Sequence, residues 1–330
     1  MELPKARLAF QRRLLTWYQG NKRNLPWREN RDPYRVWLSE IMLQQTRVAA
    51  VIDYYRRFLS RFPSVQKLAE APEADVLAAW SGLGYYRRAR MLHAAAKKVV
   101  AEHEGNFPET ATELRALPGI GRYTSAAIAS ISFEEPVAVV DGNVERVLQR
   151  ITGKELRGEL VWNLASELLS SKHPGDFNQA MMELGATICT PKIPDCPKCP
   201  VFDFCATRGV GAAKVKEVRR KREIHYSLNS RGRSVFLVQR AAHESLMPGM
   251  WELPQVEPNG HDSWLTVRHS ITVTDYTVRV FKESMHEREG SWVTKTKVES
   301  LPLTGLTRKI LRAAGILSDA KQQGSPPRSG

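Results

Sequence analysis

The sequence predicts a mainly α-helical chain that ends in an α+β domain, and three patterns support this prediction. Apolar residues recur at helical spacing from about residue 5 to residue 188. Three segments within residues 231–317 alternate in period two with β-branched side chains, as strands do. Residues 206–230, between these regions, carry many basic and few large apolar groups, a composition typical of a solvated linker. We therefore predict a helical domain over residues 1–205, a basic linker over 206–230, an α+β domain over 231–317 and a disordered tail over 318–330.

Length and charge agree with two soluble domains that bind a polyanion. The chain has 330 residues, enough for two domains of roughly 150 residues each. Its 49 basic and 35 acidic residues give a formal net charge of +14, which attracts polyanions, of which nucleic acid is the commonest and a membrane surface a weaker alternative. No uninterrupted apolar stretch approaches the ~20 residues that span a bilayer, and no apolar segment follows the basic N-terminus. We expect a soluble, cytoplasmic protein.

The individual helices and strands follow from spacing and from end signals. Asp32 followed by Pro33 predicts an N-cap and a first helical residue, so the segment YRVWLSEIMLQQ should form a helix that carries Glu40. A second helix is expected over about residues 48–59, and further amphipathic runs cover about residues 86–101, 122–132, 143–151 and 160–171. In the C-terminal domain, the segments SVFLVQR, SITVTDYTVRVF and GSWVTKTKV predict strands, and LTRKILRAAGIL predicts a closing helix.

A Gly-x-Gly turn precedes the helix predicted at residues 122–132. Gly119 and Gly121 permit close backbone approach, and the start of the following helix offers unpaired N–H donors, so this turn could grip a phosphate without contacting a base. An ordinary turn between two packed helices is the alternative. The segment WSGLGYYRRA repeats the Gly-x-Gly pattern, which indicates a second tight helix-turn-helix unit.

The four cysteines of the chain lie within 17 residues, in the pattern C-x6-C-x2-C-x5-C. Four thiolates in so short a loop can enclose one tetrahedral centre, and a reducing compartment favours metal over disulfides. Structural zinc usually shows two short cysteine pairs, whereas only one is present, which favours a [4Fe-4S] cluster. The alternative is four unliganded thiols. The predicted cluster ligands are Cys189, Cys196, Cys199 and Cys205.

Two carboxylates are candidates for acid–base chemistry. Glu40 stands among large apolar residues on its helix, and burial there would raise its pKa toward 6 to 7, where it donates a proton near neutral pH. A surface glutamate at the edge of a helix is the alternative. Asp141 ends the apolar run PVAVVD at the start of a predicted helix, which fits an N-cap as well as a catalyst. Two carboxylates in different surroundings are the arrangement that glycosidic cleavage uses.

Several motifs in order resemble the adenine-specific mismatch DNA glycosylases of the MutY type, in the helix-hairpin-helix glycosylase superfamily. They cover about residues 8–205. The motifs are LPWR (25–28), WLSEIMLQQT (37–46), GLGYYRRAR (82–90), LPGIGRYTSAAI (117–128), VVDGNVERVL (139–148), FNQAMMELGA (177–186) and the cysteine loop. The resemblance implies a two-subdomain helix-hairpin-helix fold with its active site in the cleft, one six-helix subdomain and one iron-sulfur subdomain. It also implies monomeric binding to double-stranded DNA and hydrolytic removal of adenine opposite 8-oxoguanine or guanine, which leaves an abasic site.

The resemblance also implies roles for individual residues. Glu40 would protonate adenine N7, Asp141 would stabilise or capture the C1′ cation, and Tyr123 would support this pair. Relatives that also cleave the strand place a lysine nucleophile where this chain has Tyr123, so strand cleavage should be weak or absent. The positions that resemble contacts to the flipped base are Arg28 and Gln179, and those that resemble residues filling or wedging the opened stack are Gln45 and Tyr85.

The C-terminal domain resembles the Nudix-like domain of the same family through LMPGMWELPQVE (246–257). No Nudix hydrolase motif occurs over residues 226–330, which excludes nucleotide diphosphate hydrolysis. The family usually carries Phe-Ser-His where this chain has Ile271, Thr272 and Val273, so only the hydroxyl of Thr272 is retained for a contact with 8-oxoguanine. The alternative is that this segment simply fills a sheet.

Two other functions are compatible with the sequence. A glycosylase for thymine or uracil opposite guanine is compatible with Tyr123, although Glu40 favours a purine because departure of a purine needs a proton donor at the base. A DNA-binding protein with an iron-sulfur cluster and no catalysis is the other alternative. The sequence contains neither dimerising heptads nor paired zinc knuckles, so it does not indicate a transcription factor.

Overall fold

The computed structural model describes residues 6–209, 220–241, 243–244, 247–257, 262–271, 274–282 and 289–318. Thr272 and residues 319–330 of the predicted tail lie outside the described residues. The chain divides into two compact units, one of Met1–Glu70 with Met91–Lys214 and one of Ala71–Arg90 with Val215–Gly330. Within the described part of the chain, no helix is both long and apolar enough to span a membrane.

The first unit is helical, as the sequence predicts. The predicted helices are confirmed with ends that shift by a few residues, a normal uncertainty for helix termini. Its helices are α1 (Arg7–Asn21), α2 (Pro33–Leu43), α3 (Val48–Arg61), α4 (Val65–Glu70), the greater part of α6 (Arg87–His103), α7 (Ala111–Leu114), α8 (Arg122–Phe133), α9 (Gly142–Thr152), α10 (Glu159–Leu168) and α11 (Pro174–Thr187).

Helix α8 lies in the interior because it presents small side chains. Ala126, Ala127, Ala129 and Ser130 are all buried, which lets neighbouring backbones approach closely. At Gly175 in α11, a β-carbon would lie 2.5 Å from the carbonyl oxygen of Ser130. This close approach fixes α11 against α8.

Helices α7 and α8 are joined by the Gly-x-Gly turn. Gly119 adopts a φ of +74°, and a β-carbon there would lie 2.5 Å from Cβ of Met91, so both conformation and space require glycine. Gly121 is the N-cap residue of α8. The turn therefore starts α8 at Arg122 and places Tyr123 on its first turn.

The second unit combines helices with two sheets. Its helices are α5 (Glu73–Trp80), the first residues of α6, α12 (Lys295–Ser300) and α13 (Gly305–Ala313). Its strands are β1 (Arg220–Ser227), β2 (Ser230–Arg231), β3 (Ser234–Gln239), β4 (Trp251–Glu252), β5 (Leu265–Ile271), β6 (Thr274–Phe281) and β7 (Ser291–Thr294). Among the described residues, one sheet has the order β1-β6-β5 and the other has β2-β3-β4 with β7 also paired to β3. The core of the unit contains Val235, Leu237, Val278, Val280 and Ile310.

Two strand predictions in this unit need correction. SITVTDYTVRVF is not one strand, because it contains the end of β5 and all of β6, which pair antiparallel with Ile271 opposite Thr274. The segment contains no glycine or proline that would indicate a turn, and its period-two alternation is continuous, so the sequence predicts one strand. GSWVTKTKV is a strand only to Thr294 and then becomes α12. Val293 and Val298 are both buried, but they differ by five positions and would face opposite sides of one strand, so the helix returns Val298 to the core.

The grouping of Ala71–Arg90 with the C-terminal residues is a further finding. The sequence predicts that this segment belongs to the helical domain, because its pattern matches that of its neighbours. The domain limits 1–205, 206–230 and 231–317 stay a prediction.

Candidate active site

The first unit contains a cavity of about 610 Å³ that gathers six of the residues singled out by sequence. Its wall is formed by residues from α2, the start of α3, α8, α9 and α11, and from the loops that precede α2 and that follow α2 and α8. Its polar lining includes Arg23, Arg28, Ser39, Glu40, Gln44, Gln45, Tyr123, Asp141, Asn143, Gln179 and Glu183.

Glu40 reaches the cavity from α2. Asp32 caps this helix by accepting a hydrogen bond from the N–H of Arg35 over 2.9 Å, as the sequence predicts. Glu40 is only 7% exposed, and burial raises its pKa to about 7, with the nearby charge of Asp141 adding to the rise. The hydrogen bond from Tyr123 and the charge of Arg28 act in the opposite direction. Glu40 therefore holds its proton in a substantial fraction of molecules at neutral pH.

Tyr123 contacts Glu40 directly from the first turn of α8. Its hydroxyl donates to Oε2 of Glu40 over 2.5 Å and lies 3.5 Å from the sulfur of Met182. Burial raises the pKa of Tyr123 well above its usual range, and the charge of Glu40 contributes. The phenol therefore remains a hydrogen-bond donor throughout the physiological pH range.

Asp141 is both an N-cap and a cavity residue, so the two interpretations of its sequence position are compatible. Its Oδ1 accepts from the N–H groups of Asn143 over 2.9 Å and Val144 over 2.7 Å. Its Oδ2 accepts from Nδ2 of Asn143 over 2.7 Å. Three donors thus fix the orientation of this carboxylate beside Glu40 in the same cavity.

Asn178 holds the extended segment that leads to Asp141, and the sequence analysis did not single it out. Its Oδ1 accepts from the N–H of Val139 over 3.1 Å, and its Nδ2 donates to the carbonyl of Val137 over 2.9 Å and to Oγ of Ser130 over 3.0 Å. The side chain is 2% exposed. A polar residue on the buried face of FNQAMMELGA was the available signal for this role.

Arg28 is oriented by a buried carboxylate that the sequence analysis also missed. Nη2 of Arg28 lies 2.8 Å from Oε2 of Glu183, and Nε of Arg23 lies 2.7 Å from Oε1. Burial alone would raise the pKa of Glu183, but the hydrogen bonds from both arginines outweigh it and lower the pKa to about 2. Arg23, Glu183 and Arg28 therefore form a fixed group of three paired charges in the cavity wall.

The other predicted residues of the described chain, apart from the cysteines, lie at three places. Gln45 and Gln179 line the cavity, and Gln45 has a positive φ of +58°. Tyr85 belongs to the second unit, where it is 42% exposed at a φ of +50°. Gly119 and Gly121 form the turn before α8.

Comparison with known proteins assigns the family. The model of the HhH-GPD superfamily of base excision DNA repair proteins matches residues 38–160. The solved structure of a thermostable thymine-DNA glycosylase is 31% identical, aligned over 61% of this chain and 96% of that chain, with a TM-score of 0.58. The chain belongs to the HhH-GPD superfamily. An endonuclease III trapped on DNA has the same fold, with 21% identity, a TM-score of 0.55 and coverage of 63% of this chain and 98% of that chain.

Two curated relatives with higher sequence identity than these solved structures are both named adenine DNA glycosylase. An adenine DNA glycosylase of Mus musculus is 52% identical over 212 residues, which are 60% of this chain and 41% of that protein. An adenine DNA glycosylase of Arabidopsis thaliana is 39% identical over 311 residues, which are 79% of this chain and 49% of that protein. The chain thus spans less than half the length of these two relatives.

In this HhH-GPD chain the four cysteines line one small cavity with the basic residues Arg150 and Arg208. Nη1 of Arg150 lies 3.3 Å from the sulfur of Cys189, and the N–H of Arg208 lies 3.4 Å from that of Cys205. Gly209 has a φ of +87°, and a β-carbon there would lie 3.0 Å from the sulfur of Cys196. Among the described residues, no group of three or more Cys, His, Asp or Glu side chains is placed to hold a single metal ion. Two of the four thiols have N–H donors, and Gly209 leaves space beside the sulfur of Cys196. These features fit a thiolate-ligated group that is larger than a single metal ion.

Arg146 joins the cysteine loop to the segment that carries Asp141. Its Nε donates to the carbonyl of Cys189 over 2.9 Å, and its Nη2 donates to Oδ1 of Asn143 over 2.8 Å. Gly185 in α11 permits this close packing, because a β-carbon there would lie 2.6 Å from Cβ of Asn143.

Proposed function

We propose that this protein is a DNA glycosylase that removes adenine from mispairs with 8-oxoguanine or guanine by hydrolysing the N-glycosidic bond. The observation that carries the proposal is that Glu40, with a pKa raised to about 7, and Asp141 line one cavity. The curated relatives that match the chain are named adenine DNA glycosylases, which supports adenine as the base. The proposal covers base excision and the formation of an abasic site.

The carboxyl groups of Glu40 and Asp141 have different roles in the proposed reaction. Protonated Glu40 donates its proton to N7 of adenine, so that the base leaves as a neutral group when the bond from C1′ to N9 breaks. Asp141, held by its three donors, faces the positive charge that develops on the sugar. Water then adds to C1′ and gives up a proton to the ionised carboxylate of Glu40, which regenerates the acid. The hydroxyl of Tyr123 keeps the carboxyl group of Glu40 in position.

The cavity accounts for recognition of a single extruded base. A stacked base is inaccessible to such a site, so the adenosine must be flipped out of the duplex at a cost of a few kcal/mol. Arg28, fixed by Glu183, and Gln179 line the same cavity as Glu40 and supply polar groups for the base edge. The net charge of +14 and the backbone of the turn at Gly119 and Gly121 suit binding to DNA phosphates.

Base removal without strand cleavage follows from the residue after the Gly-x-Gly-Arg turn. Tyr123 offers a phenol, whereas Schiff-base formation at C1′ needs an amine. The product should therefore be an intact strand with an abasic site.

We also propose that Cys189, Cys196, Cys199 and Cys205 hold a [4Fe-4S] cluster. The cluster would supply structural order to its loop, because four cysteine ligands leave no iron position open for chemistry. The fit of the thiols, the N–H donors and Gly209 supports this ligand set. Arg146 would transmit the order of this loop to the segment that bears Asp141.

The C-terminal residues of the second unit are proposed to form a Nudix-like domain over residues 231–317 that favours 8-oxoguanine in the opposite strand. The support is the sequence LMPGMWELPQVE, together with two sheets and closing helices in the described residues. Thr272 would contribute its hydroxyl to this preference, and DNA would be bound by a monomer.

A second candidate is removal of thymine opposite guanine. The solved thymine-DNA glycosylase that is 31% identical favours it, and Tyr123 is compatible with it. Glu40 favours adenine, because a buried acid with a pKa near 7 serves departure of a purine protonated at N7.

One assay tests these alternatives. Duplexes that pair A with 8-oxoguanine, A with G, T with G, and U with G are incubated with the protein and analysed with and without alkali. Release of adenine that is revealed as strand breaks only after alkali is expected, and Glu40→Gln should abolish it while leaving DNA binding intact. Release of thymine or uracil alone, alkali-independent nicking, or full activity of Glu40→Gln would each contradict the proposal.

A further inference from the structure

Arg122 is the first residue of α8, a position where a helix disfavours a cation. The N-terminus of a helix carries a partial positive charge, which attracts anions and repels cations. The N-cap residue of α8 is Gly121, which has no side chain to cap the helix, and the first turn contains Arg122 and no acidic residue. An anion placed beside Arg122 is therefore favoured by both the guanidinium and the helix.

The carboxylate of Glu159, the first residue of α10, is the anion found there. Nη1 of Arg122 donates to Oε1 of Glu159, and Nη2 donates to Oε2 over 3.1 Å. A guanidinium binds a phosphate through two parallel hydrogen bonds of the same kind. The hydrogen bond from Arg122 lowers the pKa of Glu159, so this carboxylate stays ionised near neutral pH. Glu159 thus occupies the groups of Arg122 that would bind a phosphate.

The ion pair is exposed, and the guanidinium has a second support besides Glu159. The side chains of Arg122 and Glu159 are 41% and 71% exposed. The guanidinium carbon of Arg122 lies 4.0 Å from the centroid of the Trp162 ring, a stacking contact that orients the guanidinium plane. Exposed ion pairs contribute little to stability because water solvates both partners. Another anion can therefore replace the carboxylate of Glu159 while Trp162 keeps Arg122 in place.

Glu159 retains a favourable environment when it is released from Arg122. It follows the N-cap residue Gly158 and lies in the first turn of α10. A carboxylate at this position is stabilised by the N-terminus of its own helix. Release from Arg122 therefore leaves Glu159 solvated and next to a partial positive charge.

We propose that Arg122 contacts a backbone phosphate of DNA and that Glu159 competes with this phosphate for the guanidinium, which weakens binding to DNA of any sequence. The proposal rests on the proposed DNA glycosylase function, in which the adjoining turn at Gly119 and Gly121 binds phosphates. A phosphate contact carries no sequence information, so a competitor for it weakens binding to matched and mispaired duplexes alike. Weaker binding to matched DNA, which is in large excess, leaves more protein free to reach a rare mispair.

The test measures dissociation constants of the full chain by fluorescence anisotropy, for a matched duplex and for an A:8-oxoguanine duplex at several salt concentrations. Glu159→Gln removes the charge and keeps the size of the side chain. It is expected to tighten binding to both duplexes about threefold to fivefold, the scale of one exposed ion pair. The plot of log K against log salt concentration should become steeper by up to about 0.9, because one phosphate contact now forms without competition. In an Arg122→Gln background, Glu159→Gln should produce neither effect.

Glu155→Gln is the matched control. Glu155 is 69% exposed, pairs with Arg157 and lies four residues before Glu159, so its substitution changes the net charge equally. Its effect on binding should be much smaller. If both glutamine variants tighten binding equally, or if the gain persists without Arg122, Glu159 acts only by general repulsion of DNA and the proposal is wrong. Weaker binding by Glu159→Gln would mean that Glu159 orients Arg122 for DNA, which would also overturn the competition.

Adenine release by the unaltered chain, measured on the same A:8-oxoguanine duplex, separates this proposal from the proposed function. Adenine release together with unchanged DNA affinity and salt dependence in Glu159→Gln would overturn the competition alone. Absence of adenine release, with Glu159→Gln still tightening binding through Arg122, would overturn the proposed function and leave the competition supported.

Discussion

The hydroxyl of Tyr123 donates a hydrogen bond to Oε2 of Glu40 over 2.5 Å, although the two residues are 83 positions apart. This contact joins α8 to α2 at the wall of the cavity that also contains Asp141. It opposes the rise in pKa that burial imposes on Glu40, so the pKa of about 7 reflects both effects.

The rate of base release should fall as pH rises through the pKa of Glu40. The acid must be protonated to act, so the single-turnover rate at saturating DNA should be level below the pKa of about 7 and decrease about tenfold per pH unit above it. Rates at pH 6, 7, 8 and 9 on one mispaired duplex measure this. A rate that rises steadily over this range would assign proton donation to another group.

Replacement of Glu40 by glutamine should stabilise the fold at alkaline pH. The pKa of Glu40 is raised in the folded protein, so the folded state binds more protons than the unfolded state between about pH 4.5 and 7, and stability is lost as pH rises. Glu40→Gln removes this loss, with an expected gain of about 1–3 kcal/mol at pH 8 and little gain at pH 4.5. Urea unfolding at both pH values checks this, and equal gains would contradict it.

Removal of the Tyr123 hydroxyl should change the pH profile as well as the rate. Tyr123→Phe deletes the bond that lowers the pKa of Glu40, so the alkaline fall in rate should move to higher pH. The rate below the inflection should decrease about tenfold, because a misplaced acid loses roughly 1–2 kcal/mol of its catalytic contribution. A lower rate with an unmoved inflection would mean that the hydroxyl does not act through Glu40.

Asn178 should affect activity through Asp141. Asn178→Leu leaves the buried N–H of Val139 and the carbonyl of Val137 without their partner, at an expected cost of about 2–4 kcal/mol of stability. Base release should fall more than ten-fold at a temperature where the variant is fully folded. Asn178→Asp, which keeps an acceptor for Val139, is the control and should retain more stability. Wild-type activity of a folded Asn178→Leu would remove this residue from the site.

The proposed cluster should depend on Gly209. Gly209→Ala brings a β-carbon to 3.0 Å from the sulfur of Cys196 at a φ of +87°, so retained iron per chain should fall. Gly232→Ala is a matched control, since Gly232 also has a positive φ, +54°, but no heavy atom within 4 Å of the added carbon. Iron and absorbance near 400 nm measure the outcome. Equal iron content per chain in the two variants would mean that the space left by Gly209 beside Cys196 is not needed for the cluster.

Much of the local structure could be predicted from the sequence because its causes are local. The Asp32 cap and Pro33 define the start of α2, and apolar spacing defines α3, α8 and α9. The candidates Glu40, Asp141 and Tyr123 stood out as motif residues. Arg23, Asn178 and Glu183 did not, because their roles depend on partners more than 30 positions away.

The sequence by itself determined the helical pattern, the cysteine spacing and the basic charge of this protein, since each depends on residue types and short separations. Only the tertiary structure decided that Glu40, Tyr123 and Asp141 line one cavity, and that the segment Ala71–Arg90 packs with the C-terminal residues. Periodicity shows which face of a helix is apolar but not which faces meet. Desolvation, and with it the raised pKa of Glu40, arises only when those faces meet and exclude water.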